Sequence, residues 1–248
     1  MEINKTNLTE AELANIKMPY HNLVLVEIPQ AKEEQKTVSG IIVGFNKDIQ
    51  YAEGKDNHIA DVADVYGRVV KVPEKFYFKR NDSFSPSWRS TIEIKEDDLV
   101  WFNPMAATNC AEIRTEESVY RLIPYDDMFV AKRRRWVSKF DSKWVEDVIC
   151  LNGYCIIEKV KQKSLGSLDV LSEAKIDETR GHIKYCGSCN IEYENKTWTD
   201  FEDLEEGDEV LFLPGTKPIP LERQGYNAHF DNGKLYYAVQ RRFIAMVI

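Results

Sequence analysis

One order of short segments runs through this chain twice, and that repetition constrains the fold more than any single motif does. In the first pass an apolar run at residues 22–27 is followed by a polar stretch with an aliphatic tip at 40–43 and by a Gly-x-Val run at 66–72. An acidic turn then leads into Leu99, Val100, Trp101 and Phe102, and residues 125–131 close the set. In the second pass residues 153–160, 166–171, 179–185, 204–212 and 240–247 take the same places in the same order. Each run is alternating or fully apolar and is bounded by Gly, Pro, Asn or Asp, which is the pattern of strands joined by turns. A chain of 248 residues has room for two ordinary domains. The reading is all-β, with a tail at 1–17, a first domain at 18–133, a linker at 134–148 and a second domain at 149–248.

The aliphatic tip stands out against its flanks. Residues 32–36 are nearly all charged or amide, and residues 46–61 are rich in Asn, Asp, Lys and Gly. Such flanks bury too little apolar surface to offset the entropy of ordering them. Between them lie Gly40, Ile41, Ile42, Val43 and Gly44. A contiguous exposed aliphatic group marks a partner surface, although the same local pattern also fits a buried strand between two loops. The second repeat offers Gly166, Leu168, Val170 and Leu171 at this place, with Asp169 among them. A carboxylate costs more to bury than the adjacent methyl groups return, so this second tip is the weaker one.

Taken together, these segments resemble the GroES-type co-chaperonin family, the lids of chaperonin cages. The resemblance rests on the first strand (22–27), the Gly-x-Val strand (Gly67, Val69), the turn and strand at 94–102 and the closing strand at 125–131. Their counterparts in the second half include the closer Gly207-Asp208 turn. It implies two tandem GroES-like irregular β-barrels with a short linker helix. It also implies a loop whose Gly and following aliphatic tripeptide insert into the apical groove of a GroEL-type chaperonin. By position Gly40, Ile41, Ile42 and Val43 become the partner-binding residues, with Leu168, Val170 and Leu171 subordinate. A homo-oligomeric ring that assists protein folding, without cofactor or covalent chemistry, completes the expectation. Residues 73–92 resemble an enlarged form of the family's roof hairpin. The chain departs from the family at Asp97, where Gly is usual, and in its longer first loop. Asp tolerates the required turn, and longer loops cost only slowly more to close. A second reading stays open, that of a structural or assembly protein, for example a viral one, built from the same tandem domains.

Other features set bounds. A formal charge of −8 and a pI near 5.2 argue against nucleic acid as a partner, and Arg133, Arg134 and Arg135 read as a solvated linker. No apolar run approaches the roughly 18 residues of a membrane span, and the first residues lack a signal-peptide core, so the expected location is cytoplasmic. Trp136, Phe140 and Trp144 recur every fourth residue, which predicts a packing helix in the linker. Thr9 with Glu12 predicts a capped helix that Pro19 ends, in a tail outside the fold. No Gly-x-Ser-x-Gly, Walker or Gly-x-Gly-x-x-Gly motif is present, and His21, His58, His182 and His229 are scattered, so the chain reads as a non-enzyme. Of the five cysteines, Cys150, Cys155, Cys186 and Cys189 fall in the second half. If 153–160 runs antiparallel to 181–185, Cys150 comes near Cys186 and Cys189, and four thiolates could hold zinc. Buried cysteines acting as small apolar residues are the preferred reading, and no metal is expected.

Overall fold

The computed structural model describes residues 5–18, 21–29, 34–36, 42–44, 66–75, 92–103, 106, 110–136, 144–161, 176–187, 191–193, 196–198, 204–221, 230 and 236–248. Strands dominate. β1 (Lys5–Asn7) and the short helix α1 (Glu10–Ala14) precede β2 (Leu23–Ile28), β3 (Glu34–Lys36), β4 (Ile42–Gly44) and β5 (Tyr66–Lys71). β6 (Leu99–Phe102), β7 (Glu112–Arg114), β8 (Val119–Pro124), β9 (Met128–Trp136) and β10 (Trp144–Cys150) follow. The second half holds β11 (Tyr154–Lys161), β12 (Ile176–Cys186), β13 (Ile191–Tyr193), β14 (Lys196–Trp198), β15 (Glu209–Phe212), β16 (Ile219–Pro220), β17 (Tyr236–Gln240) and β18 (Ile244–Val247). The all-β expectation therefore holds. Two large sheets carry the fold, in the orders β1-β7-β8-β2-β5-β6-β9-β10 and β16-β17-β11-β12-β15-β18, and β3-β4 and β13-β14 are separate hairpins. Among the described residues both large sheets are open at their ends.

The repetition in the sequence is a repetition in space. The strand order β8-β2-β5-β6-β9 of the first sheet matches β17-β11-β12-β15-β18 of the second. The irregularities match as well: β2 slips against β5 between Leu25 and Val26, and β11 slips against β12 between Ile156 and Ile157. Likewise β6 slips against β9 after Trp101, and β15 against β18 after Leu211. A bulge re-aims the strand that carries it, so paired bulges bend the two sheets alike. The same 3-10 turn, Tyr125–Asp127 and Arg241–Phe243, opens each closing strand. It is fixed by Tyr125 N donating to Asn22 O at 2.7 Å and Arg241 N donating to Gly153 O at 2.8 Å.

The acidic turns are equally congruent. Asp97 N donates to Val69 O at 2.8 Å, as Gly207 N donates to Ile183 O at 2.7 Å. Asp97 has φ of 70° and Gly207 has φ of 99°, so the turn demands a left-handed residue that Gly supplies freely and Asp tolerates. Asp98 Oδ2 accepts from Lys95 N at 2.7 Å, and Asp208 Oδ2 accepts from Glu205 N at 2.7 Å. Gly67 and Gly181 face the first strand of their repeats, where a Cβ would stand 2.6 Å from Glu27 O and 3.3 Å from Glu158 O.

Strand alternation explains the core. Val24, Val26 and Ile28 join Val69, Val100, Ile123 and Met128 in one cluster, while Leu25 packs on the other face with Leu13 and Tyr120. With both faces covered, residues 23–26 of β2 read as an unbroken apolar run that only Glu27 interrupts. A further cluster crosses from one sheet to the other: Trp101, Phe129 and Val130 pack with Tyr154, Ile156, Phe230 and Tyr236. Trp101 meets Phe230 edge-on at 5.1 Å, and Phe129 lies 4.8 Å from Tyr154. Asn152, at φ of 52°, donates from Nδ2 to Tyr125 O at 2.6 Å and Met128 O at 3.0 Å. The joint between the repeats is thus a shared core with a side-chain clamp.

Two expectations are overturned. Where the linker is described it is strand and not helix: β9 and β10 form a long antiparallel ribbon in which Trp136 pairs with Trp144 and Arg134 with Glu146, with Phe140 outside the described residues. β-branched and aromatic residues favour strand there, and opposite charges face each other across the ladder. Arg135 donates to Asp147 at 2.8 Å and Arg134 to Glu146 at 3.2 Å, so these two arginines are solvent-exposed as expected but lie on a strand and are ion-paired across the ribbon. The tail is not outside the fold either. β1 pairs with β7 in parallel, and Leu13 on α1 is buried. Its capping box forms as expected, with Thr9 Oγ1 accepting from Glu12 N at 3.3 Å and Thr9 N donating to Glu12 at 2.8 Å. The helix ends at Ala14, ahead of Pro19, because Asn15 N turns back to Glu12 O at 3.1 Å.

Candidate functional site

The first loop leaves the sheet after β2 and returns at β5. Its root is polar and pinned: the Glu27 carboxylate accepts from Arg68 Nε at 2.9 Å and from Ser118 Oγ at 2.8 Å. Arg68 also donates from Nη1 to Asp97 at 3.0 Å, and these bonds, Glu27 first, raise its pKa. The two ion pairs of Arg68 are solvent-facing and each is weak alone. Within the loop β3 and β4 pair with each other and with no other described strand, Lys36 opposite Ile42, Gln35 opposite Val43 and Glu34 opposite Gly44. Ile42 and Val43 therefore sit in a separate hairpin, while Gly40 and Ile41 lie outside the described residues.

In the second repeat the matching insertion lies between β11 and β12. The ribbon extends to the pair Lys161 and Ile176, and residues 162–175 connect them. Leu168, Val170, Leu171 and the intervening Asp169 all fall outside the described residues. The place expected for a roof hairpin, between β5 and β6, is also largely outside them. Its equivalent between β12 and β15 holds the β13-β14 hairpin.

Each repeat also carries a groove at the same place. Leu23, Asn103, Pro124 and Asp127 line the first, of about 430 Å³. Tyr154, Leu213, Gln240 and Phe243 line the second, of about 480 Å³. Burial raises the pKa of Asp126 and Asp127 beside the first, whereas Arg242 stacks over Phe243 at 4.9 Å in the second. Congruent backbones thus give two grooves lined largely by apolar side chains, with Asp127 in the first and Lys217 and Arg242 in the second.

Two polar constellations escape a reading by local motif. Asp98 accepts from Arg133 at 2.8 Å (Oδ1 from Nε) and 2.7 Å (Oδ2 from Nη2), and Arg133 also donates to Glu93 O at 2.8 Å. Asp98, led by its hydrogen bonds, raises the Arg133 pKa. The turn's Asp and the closing strand's Arg are 35 residues apart, so only the strand pairing brings them together. The second constellation is sulfur. β11 and β12 run antiparallel as expected, which seats Cys155 opposite Cys186. Gly187 packs so close to Cys150 that an added Cβ would lie 2.9 Å from the Cys150 Cβ. The Cys155 and Cys186 sulfurs are 3.1 Å apart, and Arg241 Nη1 is 3.2 Å from Cys186. Among the described residues no group of three His, Cys, Asp or Glu side chains is arranged to hold a metal ion; Cys189 is not among them.

No protein-family model matches the chain, and no curated protein does. Among the described residues no helix is long and apolar enough to cross a membrane, which leaves strands aside.

Proposed function

We propose that the chain is a tandem co-chaperonin of the GroES type, which caps a GroEL-type chaperonin ring through its loop tips and assists protein folding in the cytoplasm. The observation that carries this reading is the congruent five-strand repeat with an insertion at the same point in each copy, between β2 and β5 and between β11 and β12. The first insertion sets Ile42 and Val43 in a hairpin of its own, apart from the large sheets. A pinned root with a separately paired tip suits a docking arm: the sheet scaffold would hold the arm in place while aliphatic side chains meet an apolar groove. Burying one aliphatic side chain is worth roughly 1.5 to 3 kcal/mol, so a triplet leaves a few kcal/mol after ordering costs. Arrangement in a ring multiplies such contacts through effective concentration.

The outer edge of β18 supports the ring. β10 covers the matching edge of β9 within the chain, but among the described residues nothing covers β18, whose Met246 and Val247 are 56% and 45% exposed. An uncovered edge with apolar side chains is a template for a strand from another copy. The same edge favours the second reading, in which copies join head to tail as a structural or assembly protein. The two readings separate in a pull-down with a chaperonin in the presence and absence of ATP. The lid reading predicts retention that depends on ATP; assembly without retention returns the structural reading.

A further inference from the structure

We propose that Cys155 and Cys186 form a thiol–disulfide exchange site, with Cys186 the attacking sulfur, Cys155 the resolving one, and a small-molecule disulfide the oxidant. Three observations meet here. The two residues are direct cross-strand partners, which puts their side chains on one face, and their sulfurs are 3.1 Å apart. Cys186 is partly exposed, whereas Cys155 is buried, so a reagent from solvent meets Cys186 first. Arg241 Nη1 lies 3.2 Å from the Cys186 sulfur and favours its thiolate.

The electrostatics agree with these roles. The hydrogen bond from Cys155, aided by Arg241, holds the Cys186 thiol down at about 7, against the opposing effects of burial and Asp208. Donating that bond, with burial added, pushes the Cys155 thiol up, and burial does the same to Cys150. The charged neighbours of Cys186 are thus Arg241 on the 3-10 turn and Asp208 on the acidic turn, with Cys150 from β10 behind. A cation such as zinc is disfavoured where the guanidinium already stands.

The exchange balances as follows. The Cys186 thiolate attacks one sulfur of an R–S–S–R disulfide, which breaks that bond, releases RS⁻ and leaves a mixed disulfide on Cys186. Cys155 gives its proton to the released RS⁻ and attacks the Cys186 sulfur, which expels the second RS⁻; this takes a proton from solvent. The protein dithiol loses two electrons and R–S–S–R becomes two RSH. The product staples β11 to β12 at the end opposite the second loop.

The test uses the full-length reduced chain, oxidised glutathione as probe, and peptide mapping after alkylation. A linked Cys155–Cys186 peptide is expected. In the wild-type chain at neutral pH, iodoacetamide should label Cys186 about five to ten times faster than Cys110, as the larger thiolate fraction outweighs its lower nucleophilicity. Cys155→Ser should trap glutathione on Cys186, and Arg241→Gln should move the pH midpoint of Cys186 labelling upward. Equal labelling of Cys186 and Cys110 overturns the proposal. So does a chain that carries zinc in one-to-one ratio and regains thiol reactivity on chelation.

Discussion

Asp98 and Asp208 occupy one turn in two copies of a unit, yet they hold different partners. Asp98 caps Lys95 N and grips Arg133 with both oxygens, almost wholly buried; Asp208 caps Glu205 N and is half-buried. Removing one partner of a buried pair strands the other charge, so Asp98→Ala should cost about 3 kcal/mol, whereas losing the cap alone in Asp208→Ala should cost about 1 kcal/mol. Urea unfolding of the two variants side by side checks the difference. Glu93 makes a prediction about pH. Burial raises its pKa above the ordinary 4.5, even though Tyr125 donates to it at 2.7 Å. The folded state therefore holds the proton more tightly than the unfolded state, and stability falls as pH rises from about 4.5 through the raised value. Glu93→Gln keeps an acceptor for Tyr125 and removes that decline. Its melting temperature relative to wild type should rise between acidic and neutral pH, with the declines from Asp126 and Asp127 left in both proteins.

At the scale of elements, the glycines on β5 and β12 are the sharpest probe of the duplicated design. An added Cβ at Gly67 would meet Val26 Cγ1 at 2.4 Å and the Glu27 carbonyl at 2.6 Å, and backbone cannot move aside cheaply. At Gly181 the nearest atom is the far end of Ile157, at 2.9 Å, which can. Gly67→Ala should cost about 3 kcal/mol and Gly181→Ala about 1 kcal/mol, read from thermal or urea unfolding. These positions were legible in sequence because a Gly-x-aliphatic run with period two records its own packing. So were the left-handed turn at Asp97 and the capping box at Thr9, since both are chemistry within four residues. β9 and β10 were not. Trp136, Phe140 and Trp144 satisfy a helical period by coincidence, while the feature that decides the matter, Arg134 opposite Glu146 and Arg135 beside Asp147, exists only after the chain turns back. β8 and β17 escape a sequence reading for a like reason, since neither carries a turn motif and each is fixed by its long-range pairing with β2 or β11. The Cys155 and Cys186 pair was half legible: antiparallel pairing could be supposed, but the guanidinium of Arg241 beside it could not.

On the scale of the whole molecule, the two repeats share a core through Trp101, Phe129, Tyr154 and Phe230, and one repeat already covers its closing edge from within the chain. The open edge of β18 is where the proposed ring would join its copies. Light scattering at working concentration should show a closed oligomer, and Met246→Asp should shift it toward monomer without unfolding it, since Met246 is 56% exposed. The proposed docking role of the β3-β4 hairpin is tested more directly, because it would link the repeat to a partner. The deciding measurement is retention of wild-type and Ile42→Asp chains by an ATP-loaded chaperonin, with circular dichroism on both. Retention of wild type, loss of retention in the variant and identical strand spectra are the predicted result. An Ile42→Asp chain that is folded and retained as strongly as wild type, or one that is unfolded because Ile42 is core, would contradict the docking role given to this hairpin.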